Sequence, residues 1–287
     1  KLIDINGEIP LDIKDGGYLN IKREADSSIH SIGNYPARFI PELVRWALDK
    51  YSKEDDVVLA PFCGSGTTLV EARLRKRNSI GVDHNPGAVL LSKVKSNIIN
   101  YNSIEQEKIK LFRLLDLSMP KEINLPHVPN RDFWFDIPVS RALKFIFDNI
   151  NKISDENLKE FFLVCFNDII TPVSHVAPGQ ILQAKRPIQH KEKRLNELEV
   201  INIFKKKVSN YLDILNNSYK DMSKDNFSKV ILGSINKVDI SDKIDVVITS
   251  PPYINAIDYI WAGKLKLHWL GYFNSDEERL NTSSIEI

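Results

Sequence analysis

The stretch DDVVLAPFCGSGTTLVEARLRKRNSIGVDHNPGAVLLSKVKSNIINY, residues 55–101, constrains the fold more than any other part of the chain. DDVVLAPF reads as a short buried strand, CGSGTT as a tight turn, and the segment from about Thr68 to Arg75 as a helix. RNSIGVD is a second strand that ends on Asp83, and NPGAVLLSKVKSNIINY is a second helix with Pro86 at an early helical position. Strand, glycine turn, helix, strand, helix is the opening of a doubly wound α/β sheet.

Around that nucleus the period of the apolar residues changes twice. Residues 1–35 are mixed and turn-rich, and RFIPELVRWALDKY then repeats Phe39, Leu43, Val44, Ala47 and Leu48 at helical spacing. Residues 101–225 are almost wholly helical in period, except for TPVSHVAPGQILQAKRPIQHKEKR, a proline-bearing loop. Strand character returns with SKVILGS and KIDVVITS. The expected division is one half of the sheet domain at 1–100, a helical insertion at 101–225 and a second half of the sheet domain at 226–287. Four strands are expected, near 56–60, 78–82, 229–233 and 244–248.

A net charge of +1 gives the whole chain no nucleic-acid signature, so any basic surface must be local. One such run is Lys185–Lys207, where Lys185, Arg186, Lys191, Lys193 and Arg194 fall in the unperiodic loop. Its two readings are contact with DNA phosphates and a solvated charged face. Cys63 and Cys165 make no disulfide framework, and no apolar run approaches membrane-spanning length, so a cytoplasmic location is expected. His175 and His190 lack metal-ligand spacing with any Cys or Asp, and no metal is expected. The chain begins with Lys and reads as a fragment of a longer protein.

Three stretches carry chemistry. In PFCGSGTT, Gly64 and Gly66 allow close backbone approach at a helix N-terminus. A phosphate loop needs Lys-Ser/Thr after its last glycine, where this chain has Thr67-Thr68, and the third glycine of the dinucleotide fingerprint is absent. A nucleoside-binding turn and a plain tight turn both remain open. Asp83 stands where Rossmann-type sites hold ribose hydroxyls, although a helix cap is the alternative, with Asn85 before Pro86 the better cap. TSPPYINAIDY leaves the last strand through two prolines, which hold the backbone extended and fix Ser250 and Tyr253 in place.

Together FCGSGTT, GVDHNP and TSPPY resemble motifs I, II and IV of the amino-group DNA methyltransferases, and GNYPARFIPELV resembles their motif X. The resemblance covers residues about 30–100 and 229–270. It implies a Rossmann-like class I methyltransferase sheet with S-adenosylmethionine as cofactor: a cofactor-binding half at 1–100, a large helical insertion at 101–225 as candidate DNA-recognition region, and an incomplete target-base half at 226–287. Four strands are fewer than the seven of that fold, so the C-terminal strands are expected to lie outside this chain. Carried over, the cofactor site comprises Tyr35, Pro36, Phe39, Pro61, Phe62, Gly64, Ser65, Gly66, Thr67, Asp83, His84 and Ser234. The target-base pocket comprises Ser250, Pro251, Pro252 and Tyr253. Asn255, Asp258 and Tyr259 extend the pocket or cap and pack the following helix, IWAGKLKLHWLGYF.

SPPY, as opposed to DPPY or NPPY, resembles the cytosine-N4 subset, so the resemblance implies methyl transfer to the N4 amine of a flipped-out cytosine in double-stranded DNA. It further implies a restriction–modification or related defence setting, with a restriction endonuclease as a possible partner. Adenine N6 and RNA guanine N2 are the same-chemistry alternatives. A non-catalytic DNA- or partner-binding subunit is the alternative from another class, motivated by Ala60 in place of the family's Asp, by Ser234 at the third strand's end and by the absent strands.

Overall fold

The computed structural model describes residues 2–5, 8–12, 18–21, 28–177, 194–252, 258–273, 275 and 278. In chain order these form β1 (Leu2–Ile5), β2 (Tyr18–Ile21), a 3-10 turn (Ile29–Ser31), α1 (Pro41–Tyr51), β3 (Val57–Ala60), α2 (Thr67–Leu74), β4 (Asn78–Asp83) and α3 (Pro86–Ser96). There follow α4 (Tyr101–Leu115), α5 (Arg131–Trp134), α6 (Ile137–Ile150), α7 (Glu156–Ile170) and α8 (Glu197–Ser218). The remainder is β5 (Ser228–Leu232), β6 (Val246–Val247), α9 (Tyr259–Ala262) and α10 (Lys264–Trp269). The chain forms two compact units, Lys1–Ile98 with Ile214–Pro252, and Ile99–Asp213 with Tyr253–Ile287.

The first unit is built on a four-stranded sheet of order β5-β4-β3-β6, with every pair parallel. Val57 pairs with Asn78 and Ala60 with Gly81, while Asp83 pairs with Leu232. Val44 and Leu48 of α1 bury themselves against Val58, Ala72 and Ile248. Each such side chain contributes about 1.5–3 kcal/mol on burial. A second cluster joins Ala60, Cys63 and Leu69 to Val230. The arrangement is the Rossmann-like α/β fold that the motif spacing predicts, and Pro41 starts α1 as its position suggests.

Local extents differ from the sequence expectation at four places. β1 and β2 pair in a small parallel sheet of their own, Leu2↔Tyr18 to Ile5↔Ile21. Runs of four residues are too short for the apolar period to reveal. The helix expected over 85–101 stops at Ser96, because Asn97 is extended and the Asn100 side chain accepts from Ser103 N at 3.1 Å to start α4. KIDVVITS yields only a two-residue ladder, held by Asp245 N to Val57 O at 3.0 Å and Ile248 N to Leu59 O at 3.0 Å. The helix expected after Tyr259 is split at Gly263.

The second unit is helical. α6 buries Val139, Ala142, Leu143, Ile146 and Ile150, and α7 buries Phe161, Phe162, Val164, Cys165, Phe166, Ile169 and Ile170. Asp155 caps α7 by accepting from Leu158 N at 3.1 Å. Asp168, inside α7, is satisfied by Lys207 Nζ at 2.8 Å and by the Tyr211 hydroxyl, which makes burial of a carboxylate tolerable. No helix among the described residues is long and apolar enough to cross a membrane.

Candidate functional site

A parallel sheet places all its strand C-termini along one edge. Here the chain passes from β3 to β4 and β5 on one side, and then crosses to β6 on the other. The strand order therefore reverses between β3 and β6, and open α/β sheets bind ligands in the crevice outside such a reversal. Residues 61–66 leave β3 at this edge, and residues 248–252 leave β6 beside them. Asp83 ends β4, and Gly233-Ser234 follows β5 at the same edge.

The loop after β3 is fixed by backbone bonds. Cys63 N donates to Val82 O at 2.9 Å, and Gly66 N to Cys63 O at 2.8 Å. Gly64 and Gly66 both have positive φ, +50° and +79°, a region open to glycine at little cost. A Cβ on Gly66 would stand 2.8 Å from Ser92 Cβ and 2.9 Å from Ser92 Cα, so the turn can lie on α3 only without a side chain. A Cβ on Gly64 would stand 3.2 Å from the Tyr35 ring. Ser65 and Thr67 are buried with their hydroxyls 3.4 Å apart, Pro61 is half-buried, and Phe62 is 39% exposed at the loop surface.

Asp83 is the hinge of this edge. Its Oδ2 accepts from Gly64 N at 2.8 Å and its Oδ1 from Asn85 N at 2.9 Å, so one carboxylate joins the glycine turn to the start of α3. The helix cap itself is Asn85, which accepts from Gly87 N at 2.9 Å and Ala88 N at 3.4 Å. His84 between them is half-buried. Gly233 N donates to Asp83 O at 2.9 Å, and Ser234, half-buried, opens a turn by accepting at its carbonyl from Lys237 N at 2.8 Å.

Cys63 lies inside the loop but is chemically quiet. Burial, first, and the neighbouring Asp83 carboxylate push its thiol well above the ordinary range, and burial does the same for Cys165. Only thiolate attacks alkylating reagents. At pH 8 the native protein is expected to leave both thiols unmodified by iodoacetamide, while the denaturant-unfolded chain labels at both. Labelling of Cys63 in native protein at the unfolded rate, read by peptide mass, would contradict this environment.

Upstream, the segment 28–40 lies against the loop. Tyr35 stands over Gly64, Pro36 is half-buried, and Phe39 packs instead against the Val44–Leu48–Val58 cluster. Two polar residues that the sequence reading passed over are central here. His30 Nε2 lies 2.6 Å from Glu71 Oε1, and both residues are buried. The available signal was Glu71 itself, an acid within TTLVEARL, a helix buried over seven of its eight residues.

After β6, Ile248 is buried, Ser250 and Pro252 are half-buried, and Pro251 is exposed. Tyr253 and Asn255 lie outside the described residues, as do Lys185, Arg186, His190, Lys191 and Lys193. Arg194 is exposed. Asp258 caps α9 by accepting from Trp261 N at 2.7 Å, and Tyr259 is the first residue of that helix. Among the described residues no group of three or more His, Cys, Asp and Glu is placed to hold a metal ion; His175 Nε2 is 3.6 Å from Asp136 Oδ1.

Comparison with known proteins covers the glycine turn and Asp83. A family model described as DNA methylase, for the N6/N4 methyltransferases, matches residues 14–94. The type II methyltransferase M.MvaI of Kocuria varians is 26% identical over 288 residues, covering 92% of this chain and 62% of the relative. M.BsoBI of Geobacillus stearothermophilus, also a type II methyltransferase, is 27% identical over 289 residues, covering 89% of this chain and 54% of its own. M.MjaII of Methanocaldococcus jannaschii is 34% identical over 103 residues, covering 36% of this chain and 18% of the relative. The chain thus spans about three-fifths and about half the length of the first two. No solved structure matches it. Type II DNA methyltransferases of this family use S-adenosylmethionine as methyl donor. The matched segment carries the glycine turn and Asp83, and in this part the chain is similar to the amino-methyltransferase family of DNA methylases.

Proposed function

We propose that this protein transfers a methyl group from S-adenosylmethionine to the N4 amine of a cytosine in double-stranded DNA, within a restriction–modification system. The observation that carries the reading is the adjacency of β3 and β6, which sets the glycine turn and the Ser250–Pro252 segment on either side of the point where strand order reverses.

The chain's residues fit the cofactor. Gly64 and Gly66 let the turn run as bare backbone, Gly66 packed on Ser92 of α3 and Gly64 under the Tyr35 ring, which walls one side of the turn. Asp83 ends β4 at this sheet edge, and its carboxylate, bonded to the amides of Gly64 and Asn85, is the proposed partner of the ribose hydroxyls. Exposed Phe62 offers an aromatic face to a cation. Ser65, Thr67, His84 and Ser234 complete the proposed lining. Bound there, S-adenosylmethionine would supply an electrophilic sulfonium methyl; its S–CH3 bond breaks as the N–CH3 bond forms, the sulfur leaves as a neutral thioether, and the methylated amine releases a proton to water.

The nucleophile is an exocyclic amine whose lone pair is delocalised into the base. Ser250 Oγ and the Pro251 carbonyl accept hydrogen bonds from its two hydrogens and favour a pyramidal nitrogen. Prolines 251 and 252 fix both acceptors beforehand, so nothing reorganises as charge develops. Tyr253 stacks on the base, which must leave the duplex to be reached. The basic residues 185–194 and the helical insertion supply contacts to DNA phosphates.

The test uses the full-length gene product with isotope-labelled S-adenosylmethionine, mixed-sequence DNA and, in parallel, RNA, followed by digestion to nucleosides and mass identification. Labelled N4-methylcytosine is expected. N6-methyladenine would correct the base while keeping the family, and label in RNA would correct the polymer. No transfer together with no cofactor binding would leave a non-catalytic subunit. Ser250→Ala is expected to lower kcat about tenfold, the value of one hydrogen bond, while cofactor affinity stays within about twofold. Equal losses in both would remove Ser250 from the base pocket.

A further inference from the structure

We infer that His30 and Glu71 are a positioning pair: they hold the strap that carries Tyr35 against the glycine turn, and through it they set cofactor affinity. The inference rests on the reading that this turn receives S-adenosylmethionine.

The strap starts at the 3-10 turn Ile29–Ser31, where Ser28 Oγ accepts from His30 N at 3.2 Å. Ile29 and Ile32 are buried, and Gly33, at φ +75°, lies so close to α3 that a Cβ would stand 2.6 Å from Leu91 Cδ1. Asn34 to Arg38 are exposed or half-buried, and apolar packing resumes only at Phe39, so it anchors 34–38 weakly. Ala37 takes a left-handed φ of +50°, which costs a residue with a Cβ. Something must over-determine that conformation.

His30 acts at both of its ends. Its carbonyl accepts from Arg38 Nη1, closing the strap into a loop around Tyr35. Its ring meets Glu71 Oε1 at 2.6 Å, with His30 7% and Glu71 2% exposed. The other Glu71 oxygen stands 3.6 Å from Arg45 Nε of α1 and 3.6 Å from Nη1 of Arg75, the C-cap of α2. One buried carboxylate thus ties the strap to both helices that follow it. Such a pair contributes little net stability after desolvation, but its geometry is stiff in a low-dielectric setting. Displacing the ring frees Arg38 and Tyr35, and Tyr35 is the wall over Gly64.

The experiment combines amide hydrogen exchange with calorimetric titration of S-adenosylmethionine, on full-length wild type, His30→Ala and His30→Gln. Glutamine is the conservative variant because its amide can still donate to Glu71. In His30→Ala, peptides covering 33–38 and 62–66 are expected to exchange about tenfold faster or more, and the Kd to rise about tenfold, or 1.4 kcal/mol. His30→Gln should return both to within about threefold of wild type. Uniform acceleration across the sheet unit, unchanged exchange in the strap, or identical behaviour of the two variants would overturn the inference. Absence of cofactor binding by wild type would overturn the cofactor reading and with it the affinity claim, and the exchange arm would still decide whether the pair holds the strap.

Discussion

Asp83→Ala is expected to abolish detectable binding of S-adenosylmethionine and to lower the denaturant midpoint of the protein. Asp83 is 8% exposed, and its two oxygens accept the amides of Gly64 and Asn85 at 2.8 and 2.9 Å. Alanine removes both acceptors at once. Each buried N–H left unpaired costs about 1–3 kcal/mol, so the pair amounts to roughly 2–6 kcal/mol. The glycine turn then loses its tie to the end of β4 as well as the group proposed for the ribose. Asp83→Asn separates these roles, since an amide keeps one acceptor oxygen and loses the other. It should retain most of the stability and still bind cofactor more than tenfold weaker. Isothermal titration and urea unfolding measure the two quantities. Cofactor affinity within tenfold of wild type in Asp83→Ala would remove the residue from the site.

How much of this was legible in the sequence depends on the range of the interactions. The turn after β3 and the cap at Asn85 are local: a glycine in a tight turn and an Asn before Pro are short-range requirements that residue type alone expresses. The α/β alternation is legible for the same reason, since each element carries its own period. The order β5-β4-β3-β6 comes from the structure, since strand periods do not record which strands pair. β6 itself was overestimated, because an apolar run shows where a strand can pair and an edge strand pairs on one side only. The helical insertion was legible as helices and silent as chemistry, since an amphipathic face records burial and not partners.

His30 and Glu71 were illegible for a different reason. They are 41 residues apart, and their bond depends on the packing of α2 beneath the strap. A glutamate followed by arginines in a helix reads as a solvated charged face, and only burial of the whole helix reveals otherwise. The dual use of Asp83 is a similar case. Its position suggested ribose recognition or a cap, and the structure gives it a bond to the glycine turn, which neither alternative contained.

Gly66→Ala is expected to be the more damaging of the two glycine substitutions, with the site lost because the turn no longer fits its support. Gly66 sits at φ +79°, where an L-residue costs about 1–2 kcal/mol. Its Cβ would also stand 2.8 Å from Ser92 Cβ and 2.9 Å from Ser92 Cα. Those atoms cannot give way easily, because Leu90, Leu91 and Ser92 are all buried within α3. Overpacking of this kind adds about 1–3 kcal/mol, for a total of roughly 2–5 kcal/mol. At Gly64 the φ is again positive, but the added Cβ would meet only the Tyr35 ring at 3.2 Å, and a side chain can swing aside. Gly64→Ala should therefore cost about 1–2 kcal/mol and express itself mainly as weakened cofactor binding. Urea midpoints and titrations of the two variants test the ranking, and equal stability losses would sink it. Adding Ser92→Gly to Gly66→Ala relieves the clash with the serine side chain, while the clash with the α3 backbone and the φ penalty stay in place. Partial recovery of stability is the result this geometry requires, and full recovery would mean that the backbone approach between turn and helix is not the constraint.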